Sequence, residues 1–273
     1  MSAPGFDTLA LNLEGAIGEV RLERPERSNA LNATMWQEIR HAFEWIDSAP
    51  EIRVVILSGE GRHFCAGIDL AMLAGVQQQV AAADGARSRE ALRRLILELQ
   101  DCLSAIERCR KPVIAAIHGA CVGGALDLVT CCDLRYAAAD AVFSIKEIDI
   151  GMVADVGTLQ RLPRLIGDGL TRELAYTSRN MDAAEAAVSG LVGRVFPDKA
   201  TLTAGVREIA HQIAARSPLA VRGTKEVLNY SRDHSIADGL NFVATWNAAM
   251  LLSDDLNESL QAQQQKRPAA YKD

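Results

Sequence analysis

The chain contains 273 residues, of which 49% are hydrophobic and 23% are charged. This length and apolar content suffice for one large core domain, or for a core domain with a smaller appendage. The formal net charge of −6 argues against a surface built mainly to bind nucleic acid, so we expect no nucleic-acid partner.

The first predicted helix begins near Asn32, whose side chain suits a helix N-cap. Met35, Ile39 and Phe43 recur along one face of it. A second amphipathic helix is predicted over 89–108, where leucines and isoleucines repeat at three- and four-residue steps. Strands rich in β-branched or alternating residues are predicted at 16–22, 54–58, 113–117, 134–137 and 142–145. Strands interleaved with helices predict an α/β core.

Strand signals fade after residue 200. Helices are predicted at 204–216, 219–230 and 236–262. We therefore expect an α/β core over residues 1–200, followed by a helical C-terminal region over residues 201–273. The apolar stretch 112–132 contains His118, Asp127 and several glycines, so it is predicted to be a buried strand, turn and helix and not a membrane span.

The six cysteines form no C-x-x-C pair and no zinc-like spacing, so we expect buried thiols, a reduced compartment and no metal site. The first residues show no basic segment before an apolar run, and the last residues are not a Ser-Lys-Leu signal. Because we recognise no targeting signal, we expect a cytoplasmic location. His63 and Cys65 are two positions apart on a turn, which disfavours a nucleophile pair. His118 is expected to be a hydrogen-bonded core histidine.

Three acidic residues, Asp127, Glu147 and Asp155, lie in otherwise apolar, glycine-rich stretches. An ionised carboxylate costs so much to bury that it is normally paired, hydrogen-bonded or protonated. Any one of them is explained by a helix cap or an arginine partner, but three together are candidates for proton transfer. Asp149 is nominated only by proximity and is expected to be structural.

Two glycine-rich turns follow predicted strands, at 59–69 and at 119–127. Glycine lets the backbone approach a ligand closely, and two N–H groups from separate turns can converge on one carbonyl oxygen. Neither turn is a complete G-x-G-x-x-G or P-loop motif, so nucleotide-binding folds are excluded.

Several motifs together resemble the enoyl-CoA hydratase/isomerase, or crotonase, superfamily, and they follow that family's order along nearly the whole chain. The segments that carry the resemblance are Arg24-Pro-Glu-Arg-Ser-Asn-Ala-Leu-Asn32, Phe64-Cys-Ala-Gly-Ile-Asp69, Gly119-Ala-Cys-Val-Gly-Gly124, Cys132-Asp-Leu-Arg135 and Gly157-Thr-Leu-Gln-Arg-Leu-Pro163. The resemblance implies a crotonase-like spiral of repeated ββα units with a helical C-terminal trimerisation region. It also implies a homotrimer or homohexamer, an acyl-CoA thioester as substrate, and no cofactor, since CoA is part of the substrate.

The same resemblance implies roles for residues in the two turns. The backbone N–H groups of Ile68 and Gly124 correspond to the oxyanion hole around the thioester oxygen. The residues expected to contact CoA are Arg27, Ala30, Ala66, Gly67 and Ile68.

The run from Lys146 to Pro163 resembles the catalytic segment of 3,5-dienoyl-CoA to 2,4-dienoyl-CoA isomerases, in which an Asp, a Glu and an Asp occupy the positions of Asp127, Glu147 and Asp155. We expect Glu147 to remove a proton from C2 and Asp155 to protonate C6. Asp127 would orient or tune Glu147, because neighbouring carboxylates push one another's pKa values apart. Met152 and Val153 are expected to line a dry pocket.

Two alternatives remain open on the same scaffold. Hydratases of the superfamily carry glutamates at the positions of Asp127 and Glu147, so an enoyl-CoA hydratase is the second hypothesis; it predicts that Asp155 is dispensable. The third hypothesis is a non-catalytic binding member of the superfamily, which would turn over no acyl-CoA.

Overall fold

The computed structural model describes residues 4–82 and 84–273. Residues 1–3, which belong to the N-terminal segment without a recognisable address, lie outside the described residues, as does residue 83. The strands in the described part are β1 Leu9–Glu14, β2 Ile17–Leu22, β3 Val54–Gly59, β4 Val113–Ile117, β5 Ala120–Val122, β6 Leu134–Ala138, β7 Val142–Ser144, β8 Met181–Asp182 and β9 Val195–Phe196. The helices there are α1 Ala33–Ser48, α2 Leu70–Gln79, α3 Gly85–Arg108, α4 Gly124–Thr130, α5 Thr158–Arg161, α6 Pro163–Ile166, α7 Asp168–Thr177, α8 Ala183–Val188, α9 Lys199–Ala214, α10 Pro218–Arg232, α11 Ile236–Met250 and α12 Asp254–Gln265.

The strands form two sheets, a larger one in the order β1-β2-β3-β4-β6-β9 and a smaller one in the order β5-β7-β8. β4 and β5 are consecutive in the chain but belong to different sheets, and α4 follows them; β6 and β7 repeat this pattern before the next helices. In the larger sheet β4 pairs with β6, and in the smaller sheet β5 pairs with β7; both pairs are parallel. This repeated ββα arrangement confirms the predicted crotonase-like spiral.

The first strand of the larger sheet, β1, was not predicted. It pairs antiparallel with β2, and its second half is exposed. An edge strand with one solvated end carries a weaker hydrophobic signal than a central strand such as β3. The predicted strands at 54–58, 113–117, 134–137 and 142–145 are all present to within one residue.

The two long helices of the core are close to their predicted positions. The Asn32 side chain accepts a hydrogen bond of 2.9 Å from the backbone N–H of Met35, which confirms the predicted N-cap. Met35, Ile39 and Phe43 are completely buried. The second helix, α3, packs against α1 and begins four residues earlier than predicted, because Asp84 caps it by accepting from two backbone N–H groups.

The predicted helix over 236–262 is wrong, because the chain forms two helices there. The side chain of Ser253 caps α12 by accepting from the backbone N–H of Leu256, and Asp254 and Asp255 lie in the first helical turn, where acidic residues are favoured. α9 likewise begins earlier than predicted, since Asp198 and Thr201 form a capping box.

The main core lies between the larger sheet and α1, α3 and α4, and a second apolar cluster joins the sheet to α9 through Leu202, Val206 and Ala210. The division into residues 1–200 and 201–273 stays a prediction. Among the described residues, no helix combines the length and the apolar character needed to cross a membrane.

Candidate active site

The two glycine turns meet at Gly67 and Gly123, which have φ angles of +86° and +55°. A Cβ atom added to Gly67 would lie 2.6 Å from the carbonyl oxygen of Val122 and 3.2 Å from the backbone nitrogen of Gly124. A Cβ atom added to Gly124 would lie 3.7 Å from the backbone nitrogen of Ile68. Glycine is required at Gly67 for both reasons, its backbone angle and its close contact. The structure thus brings the nitrogens of Ile68 and Gly124 into one small region.

Backbone hydrogen bonds fix this region. The N–H of Leu31 donates to the carbonyl of Gly67 at 2.8 Å, and the N–H of Asp69 donates back to the carbonyl of Leu31 at 3.0 Å. The N–H of Cys65 donates to the carbonyl of Ala120 at 3.0 Å. The first two bonds use the groups that flank Ile68. Next to Gly124, the N–H of Gly123 donates to the carbonyl of Ser144 at 2.9 Å. Within the part of the chain that the structure describes, the N–H groups of Ile68 and Gly124 themselves donate to no protein acceptor, so both are free for a ligand.

Glu147 begins the short 3₁₀ turn Glu147–Ile150 after β7. Its carboxylate lies against the second glycine turn, since a Cβ atom added to Gly123 would be 3.3 Å from Glu147 Oε1. Glu147 Oε2 is buried and has no hydrogen-bond partner among the described residues. Burial raises the pKa of Glu147, and the negative charge of Asp155 raises it further. A carboxyl group whose pKa is raised in this way is a stronger base than an exposed glutamate.

Asp127 lies on α4 and is completely buried. Its Oδ1 accepts a hydrogen bond of 2.5 Å from the backbone N–H of Thr158, whereas Oδ2 has no partner in residues 4–82 and 84–273. Burial raises its pKa to about 7; the charges of Glu147 and Asp155 also raise it, while Thr158 opposes the shift. Burial therefore favours the protonated form of Asp127.

Asp155 is partly buried in the segment between the 3₁₀ turn and α5, and burial raises its pKa. Its backbone carbonyl accepts a hydrogen bond of 2.6 Å from Gln100 Nε2 on α3. Asp155 influences the pKa of both Asp127 and Glu147 through its charge. The charges of the three acids therefore act on one another, and the catalytic role of each stays a prediction.

A cavity of about 340 Å³ adjoins Glu147 and extends toward α7. Met152 and Val153 contribute to its lining, as predicted, although Val153 is 72% exposed. The remaining wall is mostly apolar: Ile145, Ile148, Ala154, Leu159, Pro163, Ala175 and Tyr176. Asp127 and Asp155 do not line this cavity. An apolar chain attached to a group at Glu147 would fit here.

The residues predicted to contact CoA lie in the 24–31 loop and the first glycine turn. Arg27 is exposed at the end of a 3₁₀ turn, and the N–H of Ala66 donates to the carbonyl of Ser28 at 2.9 Å. Arg24, which together with Arg21 and Arg27 could supply a local basic patch for a phosphorylated ligand, binds the carbonyl of Ala30 and forms an ion pair of 3.2 Å with Asp69. Arg24 therefore joins the loop to the residue that follows Ile68.

The other candidates have structural contacts. His118 Nε2 lies 3.0 Å from the carbonyl oxygen of Gly61, as expected for a core histidine. His63 Nδ1 accepts from the N–H of Ala120, and Cys65 Sγ donates to the carbonyl of Asn29, so the two do not pair. All six cysteines are buried and unpaired. Asp149 accepts a hydrogen bond of 2.8 Å from the hydroxyl of Ser178.

Two residues near the acids were missed from the sequence, Thr158 and Gln100. Thr158 follows Gly157, which has φ +133°, and begins α5. Both residues contact partners far away in the chain, at separations of 31 and 55 positions. A glycine followed by a hydroxyl residue at a helix start is the one local signal that was present for Thr158.

The chain is similar to known proteins over most of its length. The family model described as enoyl-CoA hydratase/isomerase matches residues 12–273. The chain belongs to this family. Among solved structures, an enoyl-CoA hydratase from Bacillus anthracis has a TM-score of 0.89 and 32% sequence identity, over 97% of this chain and 99% of that one. The fold of the enoyl-CoA hydratase/isomerase family is thus present over nearly the whole chain.

Two curated relatives are more similar in sequence. The Δ(3,5)-Δ(2,4)-dienoyl-CoA isomerase of Arabidopsis thaliana, named peroxisomal, is 49% identical over 99% of this chain and 99% of its own length. The human protein of the same name, called mitochondrial, is 50% identical over 89% of this chain and 74% of its own length. The chain is therefore more similar in sequence to these two isomerases, at 49% and 50% identity, than to the hydratase from Bacillus anthracis, at 32%.

The expected cytoplasmic location is wrong. The printed names of the relatives from Arabidopsis thaliana and Homo sapiens contain the words peroxisomal and mitochondrial, which points to an organelle. The expectation depended only on the fact that no targeting signal was recognised, and that fact carries no information about location.

Proposed function

We propose that the chain is an isomerase of fatty acid β-oxidation that converts 3,5-dienoyl-CoA to 2,4-dienoyl-CoA. The observation that carries this proposal is the cluster of Asp127, Glu147 and Asp155, whose pKa values are all raised by burial. The named relatives at about 50% identity support the same reaction. One carboxyl group can serve C2, but a second is needed at the distant C6.

The thioester makes the C2 protons acidic, and ionised Glu147 removes one of them. The electron pair spreads over the thioester oxygen and the two conjugated double bonds as a dienolate. The N–H groups of Ile68 and Gly124 would stabilise the charge on that oxygen, where they have no other acceptor among the described residues. Protonated Asp155 then donates to C6, which leaves double bonds at C2 and C4. Glu147 is then protonated and Asp155 ionised, and proton exchange with solvent restores the starting state. Because only protons move, the reaction requires no redox cofactor, and CoA takes part only as a portion of the substrate.

Arg27, Ala30, Ala66 and Gly67 would contact the CoA portion. The mostly apolar cavity next to Glu147 suits the acyl chain. An acyl chain bound there would keep water from C3, which favours protonation at C6 over hydration. The exposed side chains of Ile236 and Leu240 on α11, and of Leu252 between α11 and α12, support assembly into a homotrimer or homohexamer. Light scattering during size-exclusion chromatography measures this assembly, and a monomer would contradict it.

An enoyl-CoA hydratase is the second candidate, because the hydratase from Bacillus anthracis shares the fold and Asp127 and Glu147 alone would suffice to activate a water. The deciding experiment follows the absorbance of the 2,4-dienoyl product from 3,5-octadienoyl-CoA, with crotonyl-CoA hydration in parallel. We expect rapid isomerisation by the wild type and a loss of at least a hundredfold in Asp155→Asn.

Asp149→Asn is the matched control, since Asp149 is an exposed acid of the same segment, and it should leave the rate within twofold. Efficient hydration of crotonyl-CoA that Asp155→Asn does not alter would instead establish the hydratase. No turnover of either substrate would support a binding protein.

A further inference from the structure

Thr158 lies against the Asp127 carboxyl group through its backbone. Its backbone N–H donates to Oδ1 at 2.5 Å, which places the hydroxyl of the same residue beside this carboxyl group, although the hydroxyl makes no hydrogen bond there in the structure. Thr158 is 1% exposed, and Asp127 is completely buried. Because both residues are buried, the backbone N–H of Thr158 supplies a hydrogen bond that water would make to an exposed carboxyl group.

Three polar atoms near this contact are buried without a hydrogen-bond partner in the described residues. They are Thr158 Oγ1, Asp127 Oδ2 and Glu147 Oε2. Buried polar atoms are normally paired, and unpaired ones cluster where a proton or ligand completes the arrangement. The Thr158 hydroxyl is therefore free to turn toward Asp127 or away from it.

A hydroxyl can both donate and accept a hydrogen bond, whereas a backbone N–H can only donate. When Asp127 is ionised, the Thr158 hydroxyl can donate to it; when Asp127 is protonated, the same oxygen can accept from it. We propose that Thr158 is a positioning residue whose hydroxyl accompanies Asp127 through both protonation states and thereby sets the charge that Asp127 presents to Glu147. This inference rests on the proposed isomerase function.

The other titratable groups around Asp127 do not replace Thr158. They are Glu147 in the 3₁₀ turn, Asp155 in the following segment, Arg161 on α5, Cys121 on β5 and Cys131 after α4. Arg161 forms an ion pair of 3.0 Å with Glu107, and burial raises the pKa of both thiols, so the cysteines stay neutral. Glu147 and Asp155 are acids, and both oppose the ionisation of Asp127.

Thr158→Val removes the hydroxyl and keeps the shape and the backbone N–H, while Thr158→Ser keeps both hydrogen-bonding groups. Without the hydroxyl, ionised Asp127 is less stable and holds its proton to higher pH. A neutral Asp127 no longer repels the charge of ionised Glu147, so the pKa of Glu147 falls and Glu147 becomes a weaker base. We expect Thr158→Val to move the low-pH limb of kcat, which reports the ionisation of Glu147, downward by about one pH unit. It should also lower kcat by up to about tenfold at pH 7, with KM within twofold. Thr158→Ser should restore the wild-type profile.

The titration of Asp127 is also measured directly in the ligand-free protein, by infrared difference spectroscopy with Asp127→Asn as the reference. We expect a higher pKa of Asp127 in Thr158→Val than in the wild type. Coincident titrations, or a serine variant that behaves like valine, would overturn the proposal.

If the valine variant lacks native circular dichroism, Thr158→Ala takes its place with the same expectation. If the wild type isomerises no dienoyl-CoA, the proposed function fails, but the infrared titration still decides the role of Thr158.

Discussion

Gln100 Nε2 donates a hydrogen bond of 2.6 Å to the backbone carbonyl of Asp155, so α3 holds the third acid in place. This contact joins the long amphipathic helix of the core to the segment between Glu147 and α5. Removing it leaves a carbonyl without its partner and frees the Asp155 backbone to shift.

We therefore expect Gln100→Leu to lower kcat about tenfold, because a small displacement of a proton donor weakens its alignment with C6. Exposed Gln160 lies near the same segment, and Gln160→Leu is the matched control that should leave kcat unchanged. Equal rates for the two variants would contradict the role of Gln100. The measurement is the rate of 2,4-dienoyl-CoA formation at saturating substrate.

The two ends of the proposed proton transfer can be separated by isotope exchange. In deuterated water, Asp155→Asn should still exchange the C2 protons of 3,5-octadienoyl-CoA, because Glu147 remains, although product formation stops. Glu147→Gln should lose both exchange and product. Mass spectrometry of the recovered substrate measures this. Exchange at C2 that survives in Glu147→Gln would exclude Glu147 as the base.

The close contact at Gly67 predicts a severe effect of the smallest side chain. Gly67→Ala places a methyl group 2.6 Å from the carbonyl of Val122 at a φ of +86°, so the two turns must separate. We expect kcat to fall about 10² to 10³-fold, as when an oxyanion donor is lost. Gly75→Ala on exposed α2, where nothing lies within 4 Å, should leave kcat unchanged and stabilise the helix by about 0.5–1 kcal/mol. Steady-state kinetics and thermal unfolding measure both effects.

The raised pKa of Asp127 predicts a pH-dependent stability. The folded state binds this proton more tightly than the unfolded chain does, since the pKa of Asp127 is about 7 in the folded state against an ordinary value of 3.8. The stabilisation that this proton provides is complete at pH values below the pKa of Asp127 in the unfolded chain. It is lost as the pH rises through the pKa of Asp127 in the folded state. Asp127→Asn removes the cost of the buried charge, so it should be more stable than the wild type at pH 8, by up to about 4 kcal/mol.

The difference should vanish near pH 3. Asp149→Asn, at an exposed carboxyl, should show no comparable gain. Urea unfolding across this pH range measures both, and a variant less stable than the wild type at pH 8 would contradict the prediction.

Much of this architecture was predictable because its signals are local. Asn32 and the apolar repeat after it define α1, and the central strands β3 and β4 are continuous apolar runs. The glycines of the two turns and the acids in apolar surroundings are visible in the sequence, and the family resemblance orders them into one site. The assignment of each carboxyl group to a chemical role stays a prediction.

What was missed depends on packing between distant segments. Thr158 acquires its relation to Asp127, and Gln100 its relation to Asp155, only when α3, α4 and α5 come together. The break between α11 and α12 was a different failure, because a serine and two aspartates interrupt an otherwise helical pattern too briefly to dominate it.

Ile68 and Gly124 are 56 positions apart in the chain, and their turns are held together by bonds between Cys65 and Ala120 and between Leu31 and Gly67. Contacts between residues so far apart in the sequence form late in folding, because ordering the loop between them costs conformational entropy. During refolding, enzymatic activity should therefore recover later than the circular-dichroism signal of the helices. The lag between the two would measure how long the turns of Ile68 and Gly124 take to come together.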